Sequence, residues 1–146
     1  MIETKIIPDD GIRPKEAKLK EAADLKTSLA AGKMMLFKQG AVAINDLTSA
    51  ADLAAGEADF DGYTTGGIAV ANFGDPILDT DGTVLVVSPL VQFNYTDGVD
   101  HVSNEIGGAA YIDAGTKVRG VVQFDPPVTL ATNDDGVPVV LAFRVK

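Results

Sequence analysis

The spacing of apolar residues changes once along this chain, near residue 32. Over Pro14 to Ala31, the side chains of Leu19, Ala22, Ala23, Leu25, Leu29 and Ala30 fall in one stripe. That stripe is roughly 160° wide at ~100° per residue, which predicts an amphipathic helix. Lys15, Glu16, Lys18, Lys20, Glu21 and Lys26 crowd the other side, with Glu16 four residues before Lys20. Pro14 suits the first helical position, where a missing N–H costs nothing. Gly32 is the expected stop. The stripe is thin, mostly alanine with three leucines. That suits a helix lying on a surface better than one at the centre of a core.

From residue 33 the spacing turns to two. Short strands are expected at Met34–Phe37, Ile68–Val70, Val84–Val87, Leu90–Tyr95, Ala109–Ile112, Val118–Phe124, Val128–Leu130 and Val137–Val145. In the last, Val137, Val139, Leu141, Phe143 and Val145 share one face, the pattern of a half-buried antiparallel strand. Asp-Gly pairs begin at residues 10, 61, 81, 97 and 135, and the last four punctuate the strands. Asp-Gly tolerates the positive φ that tight hairpins require. No second helix alternates with the strands, which argues against a parallel α/β sheet. The expectation is a mainly β chain: an antiparallel β-sandwich, specifically a jelly roll, over residues 33–146. Residues 1–32 precede it as an arm and one helix. The arm, residues 1–13, contains Pro8 and Asp10-Gly11, which break regular structure, and no apolar period spans it.

Charge sharpens this division. Residues 1–38 hold eight basic and six acidic side chains, net +2, whereas residues 39–146 hold four and fifteen, net −11. The basic part reads as a handle on an acidic body, suited to an acidic protein or a neighbouring copy. A net charge of −9 repels phosphate backbones, so nucleic acid is not an expected partner. The start of the chain lacks a basic region followed by a long apolar core, and no apolar run approaches ~20 residues. A membrane is therefore not expected as a partner, and a protein made in the cytoplasm is. With no Cys, no Trp and one His, the usual nucleophiles and ligands are few.

Four constellations invite chemistry and each has a plainer reading. Asp79-Thr-Asp81-Gly82 resembles half of a calcium loop, but residue 90 is Leu where a bidentate Glu belongs, so a hairpin turn fits better. Asp97 and Asp100 flank His101 without a nucleophile beside them, as in an exposed loop. Glu57, Asp59 and Asp61 alternate like a cation or glycosidase pair. Phe60, Gly62 and Tyr63 among them look instead like structural anchors pinning a loop. Gly107-Gly108 lacks the strand–loop–helix setting of a phosphate cradle and fits a bulge or close packing. None of these carries an enzymatic mechanism, and no metal or cofactor is expected.

Three stretches read together resemble the cement or head-decoration proteins of tailed bacteriophages. The first is Met35-Leu-Phe37, Asp46-Leu-Thr48 and Glu57-Ala-Asp-Phe-Asp-Gly-Tyr63. The second is Gly107-Gly-Ala-Ala-Tyr-Ile-Asp113, and the third is Val121-Val-Gln-Phe-Asp-Pro-Pro-Val-Thr-Leu130. The resemblance runs in order over roughly residues 33–146, and its motifs concern packing and turns. It implies a jelly-roll-like sandwich, without cofactor, that binds the outside of a virion shell and stabilises the major capsid protein. A tail or fibre receptor-binding role is the alternative that it leaves open. Self-association as a dimer or trimer is expected, since edge strands need cover. Lys15, Lys18, Lys20 and Lys26 are the candidate docking residues.

Overall fold

A computed structural model describes residues 14–45 and 47–146. The expected arm and Asp46 lie outside the described residues. The described residues are mainly β, with 39% strand and 16% helix. It runs α1 (Lys15–Leu29), β1 (Gly32–Lys38), α2 (Ala50–Ala55), β2 (Ile68–Val70), β3 (Ile77–Leu78), β4 (Val84–Val87), β5 (Val91–Asn94), β6 (Asn104–Ile112), β7 (Val118–Leu130), β8 (Gly136–Val139) and β9 (Ala142–Val145). Every strand pair is antiparallel. The sheets have the orders β2-β1-β6-β7, β3-β4-β9 and β5-β8. This is the expected antiparallel, sandwich-like architecture. Sheets of four, three and two strands do not by themselves spell a jelly roll.

The three- and two-stranded sheets meet at a corner that the alternation conceals. Residues 137–145 do not form one strand, because the chain leaves β8 for β9 at Val140-Leu141. Ser88, on the facing turn between β4 and β5, ties the break. Its backbone N–H donates to the Leu141 carbonyl at 2.8 Å, and its Oγ accepts from the Leu141 N–H at 2.9 Å. Both crossings between sheets thus share one buried polar clamp.

The four-stranded sheet is buried on both faces, so β1 reads Met-Met-Leu-Phe without alternation. Met34, Leu36, Ile106, Ala109, Tyr111 and Leu130 pack inward with Val84 and Val86 of β4 and with β5 and β8. Met35, Phe37 and Ala110 pack outward under Leu53 of α2, with Val42 and Ile44 beside them. Ser49 and Asp52 close a capping box at the start of α2. The expected strands Val118–Phe124 and Val128–Leu130 are one strand, β7, with the prolines at a bulge. Gly108 pairs with Gln123 and Ile106 with Val128, so one β6 residue faces four in β7. Pro126 and Pro127 lie in that unpaired stretch, where a missing donor is tolerated.

The helix forms where expected and lies on the surface, with its stripe packed into the core of the strands. Ala22 and Leu29 are fully buried in the same core as the strands, and Leu19 and Leu25 pack against it. Ala23 and Ala30, counted in the stripe, are exposed. Small alanine side chains let the helix approach β4 and β9 closely. A cut at residue 32 therefore passes through one shared core. Burying Leu29 alone is worth about 1.5–3 kcal/mol. Gly32 is not the helical stop either. Ala31 takes the left-handed turn, at φ 64°, and Gly32 opens β1. A Cβ at Gly32 would sit 2.4 Å from the Tyr111 hydroxyl, which accepts the Gly32 N–H at 3.0 Å and donates to the Leu29 carbonyl.

Candidate functional site

The segment Glu57–Tyr63 runs beside β1 and is the densest polar cluster brought together by the fold. Ala58 donates its N–H to the Leu36 carbonyl, and Glu57 bridges to Phe37. Each carboxylate of the alternating trio has a holding task. Glu57 Oε1 accepts the Tyr63 hydroxyl at 2.9 Å and the Gly66 N–H at 2.5 Å. Asp59 meets the buried Asn104 twice, through its own N–H at 2.7 Å and its Oδ1 at 2.8 Å, with Lys38 at 3.4 Å from Oδ2. Asp61 Oδ2 accepts the Val102 N–H at 2.9 Å and the Gly98 N–H at 3.2 Å. The trio therefore fastens β1 to β2 and to the 95–104 loop.

Phe60 is buried with its ring 5.3 Å from Tyr63, which stacks on Phe93 at 6.1 Å. Gly62 turns at φ 94°, and a Cβ there would meet the Thr96 nitrogen at 2.9 Å. Only glycine meets both demands without strain. Gly108 in β6 is similarly pressed. Its Cβ would lie 2.2 Å from the Val122 carbonyl, which agrees with close strand packing in place of a phosphate cradle.

The remaining constellations resolve into turns. Arg144 lies 3.1 Å from Asp79 and 2.9 Å from Asp81, so these two carboxylates brace β9 against the β3–β4 turn. Asp97 pairs with His101 at 2.6 Å in an exposed loop and accepts the Tyr95 hydroxyl at 3.2 Å. Among the described residues, no group of three or more His, Asp or Glu is placed to hold a metal ion.

Titration of these groups predicts how stability follows pH. The Asn104 amide holds the Asp59 carboxyl below the usual range, and backbone N–H groups do the same for Asp113 and Asp135. A carboxyl lowered in the folded state stabilises fully above its unfolded value, about 4, and loses that contribution as pH falls through the folded value. Burial pushes the Tyr95 phenol up to about 12 and raises Tyr63 as well. A raised phenol stabilises fully below about 10 and loses its contribution as pH climbs further. The melting midpoint is therefore expected to fall below about pH 4 and again above about pH 10. Scanning calorimetry across pH checks this, and a midpoint that rises on acidification contradicts it.

The four candidate docking lysines divide into two pairs. Lys18 donates to the Gly82 carbonyl at 2.8 Å, and Lys26 meets Asp75 at 2.5 Å. Both fasten the helix to the β3 region of its own chain. Lys15 is exposed, and Lys20 is exposed within an i,i+4 pair with Asp24 at 3.2 Å. The outward basic feature of the helix is thus Lys15 and Lys20. The sequence reading did not find Asn104, Ser88 and Tyr111, whose polar groups tie distant segments. Their partners lie tens of residues away and leave no local signal. Among the described residues no helix is long and apolar enough to cross a membrane. No family model matches the chain, and no curated protein or solved structure shows a significant similarity to it.

Proposed function

We propose that this chain is a virion structural protein that binds the outside of a tailed-phage capsid shell and cements its subunits. The observation that carries the reading is how the motif carboxylates are used. Glu57, Asp59 and Asp61, in the stretch most like the cement proteins, hold backbone N–H groups and Asn104 in place. Such a cluster serves to keep a rigid surface in shape, as a part that works by docking requires. The solvent side of α1 is mixed in charge, with Lys15 and Lys20 exposed among Glu16, Glu21 and Asp24, and these two lysines reach outward toward an acidic stretch of the major capsid protein.

Binding of the chain to purified shells tests this directly. Lys15→Glu with Lys20→Glu is expected to weaken attachment and its salt dependence together, since exposed pairs are screened beyond ~8 Å at physiological ionic strength. Each pair contributes about 0–1 kcal/mol, so the expected loss of affinity for the two together is about thirtyfold or less. Lys18→Gln serves as the comparison, since Lys18 is engaged with Gly82 within the chain. A chain that binds no shell, or is present only in the few copies typical of a tail tip, contradicts the reading.

A further inference from the structure

We infer that the outer face of the β5–β8 sheet is a contact surface for a second copy of this chain. The face is set apart by its lack of charge. Residues 83–96 and 136–143 contain no charged side chain, in a chain where 23% of residues are charged. Val91 pairs with Val139 and both are buried, so Gln92 and its partner Pro138 face outward, and Leu90 and Val140 flank the pair at the end of the sheet. Leu90 is 64% and Val140 51% exposed, among the most exposed large apolar side chains described. The surface continues past Asn94 into a cleft of about 240 Å³ that reaches Ile68, itself 37% exposed, and no charged residue lines it.

Charge selects the occupant. A charged partner surface would lose its hydration against Leu90 and Val140 with nothing there to pair its charges. A matching surface must itself be uncharged, and this chain carries one. Two copies with a net charge of −9 each repel. They approach at least cost where neither presents a carboxylate. A two-fold axis sets the face upon itself and needs no second complementary patch. The sheet has only two strands, a size that is marginal alone and gains from added cover. The inference is independent of shell binding, because it concerns the free chain.

Sedimentation of the full chain from about 1 to about 100 μM tests it, in the range where weak dimers form. The expected result is a monomer–dimer equilibrium that added salt leaves unchanged or strengthens, since salt screens the mutual repulsion. Leu90→Lys and Val140→Lys are each expected to weaken it by about tenfold or more, by placing a charge in the apolar contact. Lys15→Glu with Lys20→Glu should leave it intact. A chain monomeric throughout, a dimer that survives both face substitutions, or one that dissolves in salt overturns the inference. Should either variant lose its cooperative melt, hydrogen exchange of the unaltered chain at the two concentrations decides. Added protection over residues 88–96 and 136–142 at the higher concentration supports this face, and its absence there overturns it.

Discussion

Deleting residues 1–31 is expected to abolish the cooperative unfolding transition of the remaining chain. The deletion removes Ala22 and Leu29, both fully buried, together with the partly buried Leu19 and Leu25. It would leave Val84 and Val86 of β4, which the helix covers, facing water. It also removes the ties from Lys18 to Gly82 and from Lys26 to Asp75. Leu29 at about 1.5–3 kcal/mol, with smaller shares from Ala22, Leu19 and Leu25, reaches the lower part of the net stability of a typical domain, about 5–15 kcal/mol. Leu29→Ala is the graded version, expected to cost about 2–5 kcal/mol. For a domain of this size that lowers the melting midpoint by about 5–15 °C. Circular dichroism of both proteins on heating is the check. A truncated chain that melts as sharply as the full one would show that the β body folds alone.

The second large effect is expected from removing one oxygen, in Tyr111→Phe. The Tyr111 hydroxyl is buried between the end of α1 and the start of β1, accepting the Gly32 N–H and donating to the Leu29 carbonyl. Phenylalanine keeps the edge contacts of the ring with Phe73 at 5.2 Å and Phe143 at 6.3 Å, so packing is nearly unchanged. Two buried backbone groups lose their partner, at about 1–3 kcal/mol for each group left unsatisfied. The sum of about 2–6 kcal/mol should appear as a lower urea midpoint with an unchanged slope. A midpoint within experimental scatter of the parent would contradict the clamp.

Local pattern carries α1, most strands and the turns at Asp61-Gly62 and Asp81-Gly82, because these depend on near neighbours. Long-range partners set the rest. The alternation from Val137 to Val145 runs unbroken through the corner at Leu141, since the residue that makes the corner is Ser88, 53 positions away. β3 has only two residues, too few to show a period. The sequence pattern does not predict α2, whose six residues, Ala-Ala-Asp-Leu-Ala-Ala, carry almost no apolar stripe. The candidate site was legible in part for the same reason. Alternation of Glu57, Asp59 and Asp61 was visible, whereas Asn104, 45 positions from Asp59, was not. The charged side of α1 could be read from its spacing, but its geometry against the body could not. The partners of Lys18 and Lys26, Gly82 and Asp75, lie 64 and 49 positions away and leave no mark on the helix pattern.

The cementing role is tested most directly by heating shells with and without the bound chain. A protein that binds the assembled shell and not its separated subunits stabilises the shell by mass action, so melting should climb with occupancy. Calorimetry of stripped particles titrated with the full chain is expected to show the shell transition moving upward until the sites are filled. A transition that stays at one temperature across the whole titration, with the chain bound, would contradict the account.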